Sequence, residues 1–138
     1  MKKLFTIFGI LFLGTMTAFA GSTEVRYKTK LTGNAIGGLI PSGQAVYRER
    51  VGRFARFSAE VEDVKFAEDT ELDVYVDRSA VCSGTIVGTI VLGPAPIRGG
   101  DLNLDTRSGK VVPKFQTGDL ISVCLRGAPV VSGILKRK

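Results

Sequence analysis

The sequence predicts an all-β protein, a single antiparallel β-sandwich or small barrel of about eight strands. The 17 glycines and five prolines separate short runs that are rich in Val, Ile, Thr, Tyr and Phe. Several of these runs alternate apolar and polar residues, as a strand with one buried face does. No window long enough for a helix keeps its apolar residues at the helical spacing of about 3.6. These observations favour strands joined by turns.

The first predicted strand covers residues 25–31. Its apolar side chains alternate with charged ones, so that one face is buried and the other carries lysine and arginine. The glycine-rich residues 34–43 indicate a loop or a bulged edge. They lead to a second strand over residues 44–50.

Residues 51–52 predict a hairpin between the second strand and a third strand over residues 53–64. The sequence leaves the register of this hairpin open. A two-residue loop would pair Val46 with Phe57, whereas a three-residue loop would pair Tyr47 with Phe57. The choice matters because a shift of one residue moves every side chain of a strand to the opposite face.

The fourth strand, over residues 72–76, alternates cleanly between apolar and polar side chains. Residues 85–92 are apolar at both odd and even positions, which predicts a central strand covered on both sides. Residues 101–105 alternate again. Residues 111–113 are a short extended piece, and Pro113 confines them to an edge or a strand end.

Residues 120–125 and 130–135 are the last two predicted strands. This spacing of strands is typical of an Ig-like sandwich or a small barrel. Residues 21–138 contain no internal repeat and no linker, and we predict that they form one domain. The side chains expected in its core are Phe57, Val61, Leu72, Val74, Val76, Leu104 and Val123.

Residues 1–20 have the pattern of a secretory signal peptide. Lys2 and Lys3 precede an apolar run over residues 4–13, and small residues at positions 18 and 20 permit a cut before Gly21. A membrane anchor is the alternative, but the run is shorter than the roughly 20 apolar residues that a bilayer requires. We therefore expect a protein exported to the periplasm or outside the cell, with no membrane span after cleavage.

Cys82 and Cys124 are the only two cysteines. In an oxidising compartment, an even pair with no other thiol partner most simply forms one disulfide. A zinc site is the weaker alternative, because a chain without histidine would need carboxylates to complete four ligands. The two residues are too far apart in sequence to form a Cys-x-x-Cys redox motif.

Four segments carry a resemblance to known proteins: LTGNAIGG at 31–38, VEDV at 61–64, LDVYV at 72–76 and LNLDTRSGKVVP at 102–113. They look like segments of small uncharacterised exported bacterial β-sandwich proteins. The order of elements is also similar to that of the chordin-type CHRD module. The resemblance implies an all-β exported module. It transfers no functional residue, since CHRD modules carry histidines in their central strands and this chain has none.

The absence of histidine also limits the possible chemistry. It removes the commonest general base, the commonest metal ligand and every Ser-His or Cys-His nucleophile. We therefore predict no catalytic residue, no metal site and no cofactor. The predicted function is that of a non-catalytic exported module with a binding or structural role at the cell envelope or outside the cell. The alternative is a small histidine-free hydrolase that uses carboxylates, or a metal-dependent enzyme.

The segment from Asp101 through Asn103 to Asp105 begins like a calcium-binding loop. Thr106 and Val112, however, stand where an EF-hand needs glycine and a bidentate glutamate. The solvated face of a half-buried strand explains the same alternation without an ion, and we favour that interpretation.

A second set of acidic residues would suit the enzyme alternative. If these residues shared an outward face of neighbouring strands, two of them would form the carboxylate pair that glycoside hydrolysis uses. Cross-strand ion pairs with basic residues are the structural alternative. The acidic residues are Glu60, Glu62, Asp73 and Asp77, and the basic ones are Arg48, Arg50, Arg53 and Arg56.

The basic residues form three stripes: residues 26–30 with Arg26, Lys28 and Lys30, residues 48–56, and residues 136–138. They predict an anionic envelope component, such as a polysaccharide, lipopolysaccharide or membrane surface, or a protein as the partner. The alternative is protection of edge strands against association with other sheets. We expect no nucleic-acid partner, because residues 21–138 hold only 17 basic against 13 acidic residues and export removes the protein from the cytoplasm.

Overall fold

The computed structural model describes residues 23–138. The predicted signal peptide and its cleavage site before Gly21 lie outside these described residues. The strands are β1 (Glu24–Thr32), β2 (Ser42–Arg50), β3 (Phe54–Glu62), β4 (Glu71–Asp77), β5 (Thr85–Val91), β6 (Gly100–Asp105), β7 (Leu120–Leu125), β8 (Ala128–Ile134) and β9 (Lys136–Arg137). A short 3-10 turn, Thr106–Ser108, follows β6.

All nine strands belong to one antiparallel sheet in the order β5-β4-β7-β8-β1-β2-β3-β6, and β9 pairs with β1. The two ends of this order approach each other. The backbone N–H of Gly93 donates to the carbonyl of Gly99 at 2.8 Å, and a Cβ on Gly100 would overlap the carbonyl oxygen of Val91. The sheet is therefore nearly closed into a barrel, and the prediction of an all-β fold is confirmed.

The strand β5 was predicted to be central, and this prediction is wrong. It pairs with β4 alone and lies at one end of the strand order. Ile86 and Val91, on its outer side, are 53% and 50% exposed. On its inner side, Gly88 lies against the side chain of Leu102 from β6. A run with apolar residues at both odd and even positions does not reveal which of its faces will be covered, since that depends on the neighbouring strands.

The hairpin of β2 and β3 has the three-residue loop, with Arg50 opposite Phe54 and Tyr47 opposite Phe57. Gly52, in the loop, has a φ of +73°, a conformation that glycine adopts without strain. This register turns the aromatic rings of Tyr47 and Phe57 into the barrel. The basic residues of β2 and β3 consequently face outwards.

The core fills the inside of the barrel. Six of the seven predicted core residues are buried, whereas Val76 is only partly buried and packs against the cluster near the end of β4. The core also contains Phe115, from the segment between β6 and β7. Its ring centroid is 4.4 Å from that of Phe57 and 5.0 Å from that of Tyr47. Residues 111–113, predicted as extended, belong to no strand.

Cys82 and Cys124 form a disulfide, as predicted. The bond lies on the outer side of β7, because the inner positions of that strand are taken by Ile121 and Val123. The backbone N–H of Cys82 donates to the hydroxyl of Ser122 at 2.9 Å. The loop between β4 and β5 thus covers the outside of β7.

A disulfide is compatible with an exported protein. In residues 23–138, no helix has the length and apolar character needed to cross a membrane.

We expect the double variant Cys82→Ser/Cys124→Ser to be less stable than the wild type by about 2–4 kcal/mol, because the bond closes a loop with a sequence separation of 42 residues. Denaturant unfolding at equilibrium measures the difference. Ser83→Ala, in the same loop with the bond intact, is the matched control. A loss below about 1 kcal/mol in the double variant would contradict the expected contribution.

Candidate functional site

The outward side chains of β1, β2, β3 and β6 make up one surface, which we call the charged face. Neighbouring strands are in register, so these side chains form rows across the sheet. In one row Arg26, Arg48 and Arg56 stand opposite one another, and Asp105 follows on β6. We call its three arginines the arginine row. The sequence alone did not predict this alignment, since it depends on the three-residue loop of the hairpin.

Beside the arginine row lies a second group of cations, which we call the lysine strip: Lys28, Lys30 and residues 136–138. Lys136 pairs with Lys28 because β9 runs antiparallel to β1. The backbone N–H of Lys138 donates to the carbonyl of Arg26 at 3.0 Å. The strip surrounds a depression of about 440 Å³. The fold therefore joins the first and third basic stripes, which are more than a hundred residues apart in sequence.

The basic residues of β1, β2 and β3 do not protect the edge of a sheet. Strand β2 is paired along its length with β1 and β3, and β3 is paired on its other side with β6. Strand β1 has β2 on one side and parts of β8 and β9 on the other. The edge-protection alternative is therefore wrong for these three strands.

The carboxylates near the arginine row bind only some of its cations. Glu24 Oε1 is 2.5 Å from Arg48 Nε, and Glu24 Oε2 is 3.6 Å from Arg50 Nη2. The hydrogen bond from Arg48 lowers the pKa of Glu24, despite the opposing effect of desolvation. Within residues 23–138, neither Arg26 nor Arg56 takes part in an ion pair.

Asp105 stands opposite Arg56 but binds its own neighbour along the chain. Its carboxylate accepts hydrogen bonds from Arg107 Nη2 at 2.8 Å and from Arg107 Nε at 3.0 Å. The backbone N–H of Arg107 adds a third, at 2.9 Å. Chiefly through the side-chain bonds, Arg107 lowers the pKa of Asp105 to about 2. This carboxylate is therefore ionised at neutral pH and is already bound.

A groove of about 580 Å³ crosses the other end of the charged face. Lys28 and Lys30 border one side of it. Glu60, Glu62 and Asp101 border the other side. Glu60 stands directly opposite Asp101 on β6, which places two like charges on neighbouring strands. The groove thus has a cationic and an anionic wall.

The four acidic residues considered for hydrolysis do not come together. Glu60 and Glu62 lie on β3, whereas Asp73 and Asp77 lie on β4, and these strands are not neighbours in the sheet. The expectation that they share neighbouring strands is therefore wrong, because β3 and β4 follow each other in sequence but have other strands between them in the sheet. Asp77 instead accepts a hydrogen bond from the backbone N–H of Ala80 at 3.2 Å.

The predicted cross-strand ion pairs are absent as well. Among the described residues, none of the four acids pairs with Arg48, Arg50, Arg53 or Arg56. Glu24, which the prediction did not include, binds Arg48 and lies near Arg50. The sequence held no signal for this, since the contact depends on the pairing of β1 with β2.

Asp101, Asn103 and Asp105 alternate along β6, as the strand-face interpretation predicts. The amide of Asn103 donates to the carboxylate of Asp101. Asp105 is bound to Arg107, so these oxygens have partners within the chain. In the part of the chain that the structure describes, no three His, Cys, Asp or Glu side chains are grouped closely enough to hold a metal ion.

Comparisons of the chain with protein-family models, with curated proteins and with solved structures find no match. The resemblance to exported β-sandwich proteins and to CHRD modules stays a prediction.

The carboxyl group of Asp105 should titrate with a midpoint near pH 2 in the folded protein. Because folding lowers the pKa of Asp105, its ionised carboxyl group stabilises the fold at pH values above the ordinary pKa of an aspartate. This stabilisation is lost as the pH falls through about 2. Arg107→Gln should raise the midpoint only part of the way, because the backbone N–H of residue 107 still donates. Carboxyl NMR titration measures it, with Lys110→Gln as control. An unchanged midpoint in Arg107→Gln would refute the assignment.

Arg26→Gln should stabilise the fold by roughly 0.2–1 kcal/mol, because it removes a like charge directly opposite Arg48. Thermal or denaturant unfolding at low salt measures the gain, which should shrink as salt screens the repulsion. Lys114→Gln, an exposed change outside the charged face, is the control and should stay within about 0.5 kcal/mol of the wild type. Destabilisation by Arg26→Gln would contradict a repulsive arginine row.

Proposed function

We propose that the protein is a non-catalytic, exported binding module that holds an anionic component of the cell envelope, such as a polysaccharide, lipopolysaccharide or membrane surface, on its charged face. The observation that carries this proposal is the convergence of the lysine strip. Pairing of β9 with β1 places Lys136 beside Lys28. It also brings Lys138 to the backbone of Arg26.

Net charge alone would not suggest this function. Residues 23–138 hold 17 basic and 13 acidic residues, a small excess. What supports the proposal is the segregation of these charges, since Lys28, Lys30 and residues 136–138 adjoin the arginine row. Clustered cations produce a local field that attracts polyanions over about a Debye length, roughly 10 Å at 0.1 M salt.

Export is part of the same proposal. The leader pattern of residues 1–20 supports it, and so does the disulfide between Cys82 and Cys124, since such bonds persist in oxidising compartments. An envelope polyanion is then the kind of partner that the protein would meet.

A carboxylate-based hydrolase is the second candidate, and one observation favours it. Glu60 and Asp101 are directly opposite each other on β3 and β6, which places their Cβ atoms about 5 Å apart. Retaining glycosidases hold their two carboxyl groups about 5–5.5 Å apart, a distance that the side chains of two such neighbours can span. We rank this candidate second because the pair lies on an open outer sheet surface, where water is not excluded.

Retention on heparin beads and on vesicles that contain phosphatidylglycerol tests the binding function. We expect retention at 0.05 M salt and release by about 1 M, where the Debye length is only ~3 Å. Lys28→Gln/Lys30→Gln should be released at clearly lower salt than the wild type. Lys114→Gln/Arg126→Gln removes the same charge from exposed positions outside the charged face and should behave as the wild type.

If both double variants were released at equally lowered salt, binding would depend only on net charge. This result would refute a specific role for the lysine strip. Absence of retention at 0.05 M salt would refute the proposed function. The hydrolase candidate requires turnover of a glycan substrate that Glu60→Gln abolishes.

A further inference from the structure

The arginine row has features that the rest of the charged face lacks. Arg26, Arg48 and Arg56 are directly opposite one another on three successive strands, which spaces them by about 5 Å. Like charges so placed repel each other. An anion bound between these arginines would offset the repulsion.

The charges of the row are only partly neutralised within the protein. Glu24 binds Arg48 through Nε, which leaves the two terminal nitrogens of that guanidinium available. Asp105, the nearest carboxylate to Arg56 in the row, is bound to Arg107. Arg26 and Arg56 thus contribute two positive charges with no ion-pair partner among residues 23–138. A dianion matches this balance better than a monoanion.

The space that the row encloses limits the size of the ligand. Arg26, Arg48 and Arg56 surround a depression of about 180 Å³, and the small side chains of Val46 and Ser58 complete its lining. Pockets for whole small molecules begin at about 300 Å³. The depression therefore suits one terminal group of a larger ligand.

We propose that the arginine row binds a single phosphate monoester group of the anionic partner. Guanidinium groups bind phosphate oxygens through paired, parallel hydrogen bonds, which a lysine does not reproduce. A phosphate monoester carries about −1.5 to −2 at neutral pH, whereas a sulfate ester or a phosphodiester carries one negative charge. This inference rests on the proposed function, because it names the group recognised within the same charged face.

Calorimetric and NMR titrations with glucose 6-phosphate at constant ionic strength test the inference. We expect saturable binding of one ligand, and binding of glucose 6-sulfate that is weaker by about tenfold or more. Arg56→Lys keeps the charge but loses the paired hydrogen bonds, and should weaken binding by about tenfold. The matched control Arg126→Lys, the same change at an exposed position outside the charged face, should alter it by less than about twofold, and unfolding curves establish that each variant is folded.

Two kinds of vesicle distinguish the sources of the phosphate group. Stronger retention on phosphatidate than on phosphatidylglycerol at equal surface charge identifies a lipid phosphate. Equal retention on both, together with binding of glucose 6-phosphate, identifies a phosphorylated glycan. Each result supports the inference.

Equal affinity of Arg56→Lys and wild type for glucose 6-phosphate would overturn the inference, as would the absence of saturable binding. Either result leaves the proposed function intact if heparin still retains the protein in a Lys28- and Lys30-dependent manner. Loss of heparin retention while glucose 6-phosphate still binds would instead refute the polyanion-binding function.

Discussion

The register of β1, β2 and β3 is the constraint on which the rest of the molecule depends. One set of cross-strand pairs places Tyr27, Tyr47 and Phe57 side by side inside the barrel. Because side chains alternate along a strand, the same pairs align Arg26, Arg48 and Arg56 outside it. The register that packs the aromatic rings together therefore also creates the arginine row.

The magnitudes indicate which of these two faces determines the register. Fully burying an aromatic side chain such as Phe57 or Phe115 contributes about 1.5–3 kcal/mol, and stacking of rings adds about 0.5–1.5 kcal/mol. Repulsion between like charges opposite each other costs only about 0.2–1 kcal/mol per pair. The free energy gained by packing the aromatic rings in the interior therefore exceeds the repulsion between the arginines of the row.

Sequence reasoning recovered what depends on local alternation, such as the buried positions Leu72 and Val74, and the disulfide, for which no other partner existed. It did not recover features that depend on the whole sheet. The position of β5 at the end of the sheet follows from the strand order, and the apolar sequence of this strand does not predict it. The candidate site depends in the same way on the pairing of β9 with β1 and on the hairpin loop.

The position of the disulfide bears on how the barrel would open. β5 has hydrogen-bonded partners on one side only, which makes it prone to fraying. Cys82 lies shortly before β5 in the chain and is tied to β7, one strand further into the sheet than β4. The bond thus anchors the start of a strand that has ladder contacts on one side only. Reduction of the disulfide would therefore first loosen the contact between β5 and β6, and Leu102 would become exposed.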